Sequence, residues 1–337
     1  MRVGVIGAGA VGGTLAALLS RSGHDVHVTA RGAHLTAIRS NGLRLTGAWG
    51  EHTARVTASE SLERSPELAI LATKAQDAAD ALIANVGMLR GIPLLVVQNG
   101  LDGVDAAREV ATRSDVVGGL AMFAASYLRP GEINVTAQGP LFLGGGNGDV
   151  DLPARYIERM LSDALPVSVL PNFSGAQWTK LVVNQINALP AITGLSAQAV
   201  VADPVLLKIL TASMRETVRV ALGSRVRFAT IQGISAARLR TFASLPLGLG
   251  SALPRRIVAR MGSTPNPGST LQSIRRGQST EVDFLNGAVV RAGSDVGIAT
   301  PINSALVELV HQVERTGEFV GTRDLEQLVP TGRPAVA

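Results

Sequence analysis

The chain has 337 residues, 46% hydrophobic and 17% charged, which is enough for two domains with a sizeable core and too apolar for a disordered protein. It has no cysteine, which excludes disulfides, thiolate nucleophiles and cysteine-based zinc sites, and its five histidines (24, 27, 34, 52 and 311) show no ligand spacing, so no metal site is expected. A net charge of +5 favours anionic partners, but the basic residues are scattered and only 3% of residues are aromatic, so small phosphorylated or carboxylated ligands are expected rather than nucleic acid.

Arg2–Ile6 is a buried-strand run that breaks into Gly7-Ala8-Gly9-Ala10-Val11-Gly12 and then into a helical stretch over Ala16–Arg21. This pattern suits a dinucleotide pyrophosphate. Gly7 permits the turn, Gly9 lets the backbone approach phosphate oxygens, and Gly12 lets the helix pack on the strand. The helix N-terminus adds unpaired N–H groups and partial positive charge. The glycine spacing reads as a first strand rather than a signal peptide, and no run reaches membrane-span length, so no membrane partner and a cytoplasmic location are expected.

A second strand over Val26–Thr29 leads to Arg31, where an NAD-selective site carries an acid for the ribose 2′-OH. A guanidinium there can pair with a 2′-phosphate, so the cofactor is read as NADP(H). Further strands are expected at Leu68–Ala72, Leu94–Val97 and Val116–Gly118, and helices at Ala75–Val86 and Val104–Ala111, the pattern of a parallel sheet flanked by helices. Two strand ends carry polar residues that could face a ligand: Lys74 after the third strand and Asn99 after the fourth. Glu132–Thr136 and Leu141–Leu143 read as antiparallel additions, 144–149 as a loop, and Pro153–Leu161 and Val167–Leu170 as a closing helix and strand.

Beyond a boundary near Pro171–Gly175, apolar residues recur at helical spacing, as in Leu206, Ile209, Leu210 and Met214 and in Leu306, Leu309, Val310 and Val313. Thr300-Pro301 reads as an N-cap with proline at the first helical position. Domains are placed at 1–173 and 174–328, with a frayed tail at 329–337. Lys180, Asn184 and Asn187 stand at i, i+4 and i+7 and would share one face of a largely apolar helix. A lysine in such a setting has its pKa lowered toward neutrality and can donate a proton. Downstream, Val282, Leu285 and Val289 form a core stripe with Glu281 beside it; near Lys180, that carboxylate would keep the ammonium charged.

These segments resemble the ketopantoate reductases (2-dehydropantoate 2-reductases). The likeness runs from Met1 to about Phe319 and is carried by the glycine loop, Gln98-Asn99-Gly100, Lys180-Leu-x-x-Asn184, Ser269-x-Leu-Gln272, Thr280-Glu281-x-Asp283-x-x-Asn286-Gly287 and Gly297-Ile-Ala-Thr-Pro301. The resemblance implies an α/β Rossmann-type dinucleotide-binding domain followed by an all-α C-terminal domain, with the site in the cleft. It implies NADPH-dependent reduction of a branched 2-keto acid in pantothenate synthesis. It makes Lys180 the general acid, Asn184 and Ser269 substrate contacts, Arg31 the 2′-phosphate partner, Lys74 and Asn99 cofactor-side contacts, and Glu281 a carboxylate near the nicotinamide ribose. Asn99 and Asn187 are also candidate substrate contacts, and Ala125 is a backbone cofactor contact in a long loop over 124–131. A homodimer is the assembly considered.

The sequence departs from the family on the substrate side. The second asparagine falls at +7 from the lysine, Ala188 stands at +8, and Ala197 replaces a further asparagine. Either a residue is deleted or the helix is locally irregular. These departures keep open a different 2-keto acid as substrate. A non-catalytic NADP-sensing protein is the other alternative, but it would have no need of Lys180 and Glu281.

Overall fold

The computed structural model describes residues 1–145 and 152–331, and the chain divides into two compact units, Met1–Ser174 and Gly175–Ala337. The first unit runs β1 (Arg2–Ile6), α1 (Ala10–Arg21), β2 (Asp25–Thr29), α2 (Gly32–Asn41), β3 (Leu43–Gly47), β4 (His52–Ala54), β5 (Thr57–Ser59), β6 (Leu68–Leu71), α3 (Ala78–Asn85), β7 (Leu94–Val97), α4 (Gly103–Val110), β8 (Val116–Ala121), β9 (Ala124–Arg129), β10 (Glu132–Ala137), β11 (Leu141–Gly144), α5 (Leu152–Leu161) and β12 (Val167–Val169).

Eight strands form one sheet in the order β12-β11-β8-β7-β6-β1-β2-β5, parallel except where β11 runs against β8. β6 and β7 are unbroken apolar runs, Leu-Ala-Ile-Leu and Leu-Leu-Val-Val, buried at every position, as strands covered on both faces must be. Chain order runs outward from β1 in both directions, so the sheet reverses between β1 and β6. In such sheets ligands bind past the carboxyl ends at the reversal.

The sequence did not disclose the second sheet, β4-β3-β10-β9. β10 was expected as an antiparallel addition to the main sheet. It lies instead in this smaller sheet, parallel to β3 and antiparallel to β9. The segment 124–131, read as a loop, is β9 and the turn to β10, and Ala125 stands opposite Val135. Leu43, Leu45, Ile133 and Val135 from this sheet join Leu15, Leu18 and Leu19 of α1 in one core. α1 begins at Ala10, six residues before the expected start, because its first turns are glycine- and alanine-rich where this packing is tightest. Of the predicted loop 144–149, Gly144 closes β11 and the rest, from 146, lies outside the described residues.

The helical run begins with α6 (Phe173–Asn184), within which the division between units falls. It continues through α7 (Ala188–Thr193), α8 (Ala197–Ala202), α9 (Pro204–Gly223), α10 (Ala236–Ser244), α11 (Leu247–Gly250), α12 (Ala252–Ala259), α13 (Gly268–Arg275), α14 (Val282–Asp295), α15 (Pro301–Thr316) and α16 (Thr322–Leu328). The predicted stripes on α9 and α15 are buried, as are Val282, Leu285 and Val289 of α14. α9 starts with Asp203 accepting from Val205 N at 2.8 Å and Leu206 N at 3.1 Å, with Pro204 in the first turn.

Thr300 stands at the N-cap position of α15 but makes no side-chain cap bond. The Glu216 carboxylate on α9 accepts from Ile302 N and Asn303 N instead, each at 2.9 Å. The expected tail does not begin at Val329, which is 1% exposed and donates its N–H to the Leu325 carbonyl; residues 332–337 lie outside the described part. Among the described residues no helix is long and apolar enough to cross a membrane.

Candidate active site

In the first unit, four parallel strands deliver the predicted cofactor residues to one edge of the sheet. Ile6 of β1 pairs with Thr29 of β2 and Leu71 of β6, and Leu71 pairs with Val96 of β7. The chain therefore leaves this edge at Gly7, Ala30, Ala72 and Gln98, which brings the glycine loop, Arg31, Lys74 and Asn99 to the carboxyl ends of adjacent strands. Gly7 N donates to Thr29 Oγ1 at 2.9 Å and Ala8 N to the Thr29 carbonyl at 3.0 Å, so the loop is pinned to β2. Gln98 Nε2 donates to the Thr73 carbonyl at 2.9 Å and ties the two polar strand ends together.

The loop has the shape an anion requires. Gly7 has φ +98°, and a Cβ on Gly12 would sit 1.9 Å from the Gly7 carbonyl oxygen, so neither position accepts a side chain. A Cβ on Gly9 would meet nothing within 4 Å: space is open where phosphate would approach. Gly9 is the N-cap of α1 and supplies no side-chain bond, and no acidic residue stands in the first turn. The N–H groups there thus face an anion without a competing carboxylate. Arg31 is exposed, with extended backbone (φ −132°, ψ 159°), and is the N-cap of α2, so its guanidinium and a helix N-terminus share one location. These residues fit a nicotinamide dinucleotide.

In the second unit, Lys180 is half-buried on α6, and burial lowers its pKa from 10.5 to about 8, with the Glu281 carboxylate acting in the opposite sense. The structure thus couples Lys180 to Glu281, 101 residues later in the chain. Asn184, one turn beyond Lys180 and the last residue of α6, is half-buried on the same face.

The helix is irregular between Asn184 and Asn187. After Asn184 the helix tightens into a 3₁₀ turn over Gln185–Asn187 and resumes as α7. Pro190 is the physical reason. It has no N–H for the Ile186 carbonyl and its ring crowds that carbonyl, so a continuous α-helix is blocked and the proline is taken into the first turn of α7. Asn187 is then spent on structure. Its Oδ1 accepts from Ser269 N at 3.2 Å, in the first turn of α13, and its Nδ2 donates to the Asn184 carbonyl at 3.1 Å. This brings Asn184, Asn187 and Ser269 together, with the Ser269 residue exposed. Ala197, in place of the family asparagine, is 1% exposed.

Two polar groups that sequence reasoning missed hold this arrangement. The first is a buried network. Gln185 Oε1 accepts from Asn286 Nδ2 at 2.7 Å and Ser213 Oγ at 3.1 Å, Asn303 Oδ1 accepts from the same two groups, and Asn303 Nδ2 donates to Glu216 at 2.7 Å. It joins the end of the lysine helix to α9, α14 and α15. Burial raises the Glu216 pKa against the hydrogen bonds from Ile302 and Asn303. Asn303→Ala is expected to cost about 1–3 kcal/mol, read from urea unfolding, because buried partners are left unsatisfied. The second group sits beside Glu281. His311 bridges Asp283 (3.0 Å) and Glu314 (2.7 Å), and Glu314 accepts from Thr280 N at 2.6 Å. Burial opposes charge on His311, but the two carboxylates outweigh it and its pKa is raised. The sequence signal for either group was the motif over 280–287, which contains Asp283 and Asn286; their partners on α9 and α15 carried none.

The comparisons agree with this anatomy. Residues 3–148 match the family model described as ketopantoate reductase PanE/ApbA, and residues 172–314 match its C-terminal model. A 2-dehydropantoate 2-reductase of Pyrococcus horikoshii is 28% identical over 322 residues, covering 94% of this chain and 99% of that protein. Another, from Halobacterium salinarum, is 29% identical and covers 94% of this chain and 100% of its own length. Among solved structures, a PanE/ApbA family ketopantoate reductase from Ralstonia eutropha superposes with a TM-score of 0.79 at 29% identity, covering 94% of this chain and 99% of that one. A D-mandelate dehydrogenase described with NADH and anilino(oxo)acetate has a TM-score of 0.80 at 23% identity, with 95% and 100% coverage, and shares the fold. The reversing parallel sheet with its glycine loop, the helical unit carrying Lys180 and Glu281, and the paired matches over both place this chain in the ketopantoate reductase family.

Proposed function

We propose that this protein reduces a 2-keto acid, with ketopantoate (2-dehydropantoate) as first candidate and NADPH as reductant, yielding pantoate on the route to pantothenate. The observation that carries the reading is a half-buried lysine, depressed to a pKa of about 8 and coupled to Glu281, within a segment matching the family's C-terminal model. The relatives named 2-dehydropantoate 2-reductase support the substrate class. Arg31 and the N-terminus of α2 support preference for a 2′-phosphate.

When bound, the dinucleotide supplies the hydride. The chain's own residues do the rest. The glycine loop and the first turn of α1 hold the pyrophosphate, with Lys74, Asn99 and the Ala125 backbone as further cofactor contacts. Glu281 faces the nicotinamide ribose and keeps Lys180 charged. Lys180 offsets the negative charge that grows on the carbonyl oxygen and delivers the proton that makes the hydroxyl. Asn184 and Ser269 orient the carboxylate and hydroxyl, Asn99 contributes a substrate hydrogen bond, and Asn187 acts by holding both Asn184 and Ser269. A cytoplasmic location fits this role.

The shifted Asn187 and the buried Ala197 favour one second reading, the same reduction on a different 2-keto acid. Loss of NADPH absorbance with ketopantoate, repeated with other 2-keto acids and with NADH, tests both. Fast NADPH oxidation with ketopantoate supports the main reading. Failure on ketopantoate with good rates on another acid selects the second, and dinucleotide binding without turnover of any acid removes both.

A further inference from the structure

We propose that His34 is a positioning residue for the dinucleotide loop: its neutral imidazole holds the Ala8 carbonyl so that the Gly9 N–H is turned outward toward the pyrophosphate. The inference rests on the dinucleotide reading and adds a residue to it that belongs to no glycine motif.

Both ring nitrogens of His34 are engaged. Gly131 N donates to Nδ1 at 2.9 Å, so Nδ1 keeps its lone pair. Nε2 lies 2.7 Å from the Ala8 carbonyl oxygen, which only accepts, so Nε2 carries the proton. One neutral tautomer satisfies both bonds. In a planar trans peptide the carbonyl of Ala8 and the N–H of Gly9 point in opposite directions. Drawing that carbonyl toward His34 therefore aims the Gly9 N–H the other way, and Gly9 is exposed with open space beside it.

His34 also fastens the loop to Gly131 in the turn between β9 and β10, and Tyr127 of β9 meets the imidazole edge-on at a centroid distance of 4.9 Å. Protonation would set an Nδ1–H against the Gly131 N–H and break that tie. Burial lowers the His34 pKa, and the Ala8 hydrogen bond resists this only in part. Few charged groups surround it. The glycine loop has none, Tyr127 is the titratable neighbour, Arg129 and Glu132 across the turn pair with each other, and Arg31 stands three residues earlier on the same helix. The neutral form is thus complete above the ordinary histidine range, and the arrangement weakens as pH falls below it.

Calorimetric titration of the full chain with NADP⁺, and with NAD⁺ to remove titration of the 2′-phosphate, tests the proposal between roughly pH 5.5 and 8. Wild-type affinity for both is expected to fall about tenfold on the acid side. His34→Gln places an amide donor where Nε2 stood but, like the protonated ring, offers no acceptor to Gly131 N, so its affinity is expected to be flat with pH at the level of acid-side wild type. His34→Asn reaches only as far as Nδ1, abandons Ala8, and weakens binding about tenfold at neutral pH, raising KM for the dinucleotide with kcat preserved. Asparagine binding as tightly as wild type, or an acid fall that survives in His34→Gln, overturns the inference alone. Wild-type protein that binds neither dinucleotide overturns the cofactor reading, and the inference with it.

Discussion

Lys180→Ala is expected to lower turnover about 10²–10⁴-fold, the range for removal of a positioned general acid, while dinucleotide affinity by calorimetry stays at the wild-type value. With the ammonium as the proposed acid and its pKa lowered to about 8, kcat/KM should hold below that pH and fall above it as the proton is lost. Glu281→Gln removes the influence that raises the Lys180 pKa, so the alkaline fall should begin at lower pH. Stability moves the other way. The folded-state pKa lies below the unfolded value, so the charged lysine is a burden at neutral pH that lifts as pH rises from about 8 toward 10.5. Lys180→Met should therefore melt no lower than wild type while being inactive. Full turnover in Lys180→Ala or Lys180→Met would remove Lys180 as proton donor.

The second large effect concerns the choice of reductant. Arg31→Glu puts a carboxylate where a 2′-phosphate is proposed to pair, exchanging charge-assisted hydrogen bonds for repulsion at the N-terminus of α2. The ratio of kcat/KM for NADPH over NADH should fall roughly 10²-fold, mostly through KM. A ratio unmoved by the substitution would assign the 2′-position to some other residue. NADH is kept as a substrate in this variant because Glu can accept from the ribose 2′-OH.

The parts of the fold legible in the sequence are those with strong local signals. Long apolar runs gave β1, β6 and β7, and helical spacing gave the stripes of α9 and α15. β3, β4 and β5 escaped because each mixes polar residues into a short run and shows no continuous apolar stretch. β10 was recognised as a strand but assigned to the wrong sheet, since a parallel partner 88 residues earlier leaves no trace in its own residues. The site followed the same rule. Lys180 and Asn184 share a face because one regular helix carries both. Asn187 follows in a 3₁₀ turn that spacing alone did not disclose, because Pro190, three residues on, blocks a regular α-helix there. Glu216 was invisible as the cap of α15 because capping rules look to neighbours in sequence, and this cap comes from another helix.

The pairing of β10 with β3 also sets the order in which the protein can mature. The glycine loop is synthesised well before β10, yet a Cβ on Gly13 would lie 2.0 Å from Cδ1 of Ile133, so the back of α1 is upholstered by a side chain made some 120 residues later. Gly131, the anchor for His34, emerges at the same moment. A nascent chain shorter than about residue 135 therefore owns the phosphate-binding sequence without its supporting wall. Such non-local closure is slow compared with helix formation, and chains truncated before β10 should show neither a protected α1 in hydrogen exchange nor retention on a nucleotide resin.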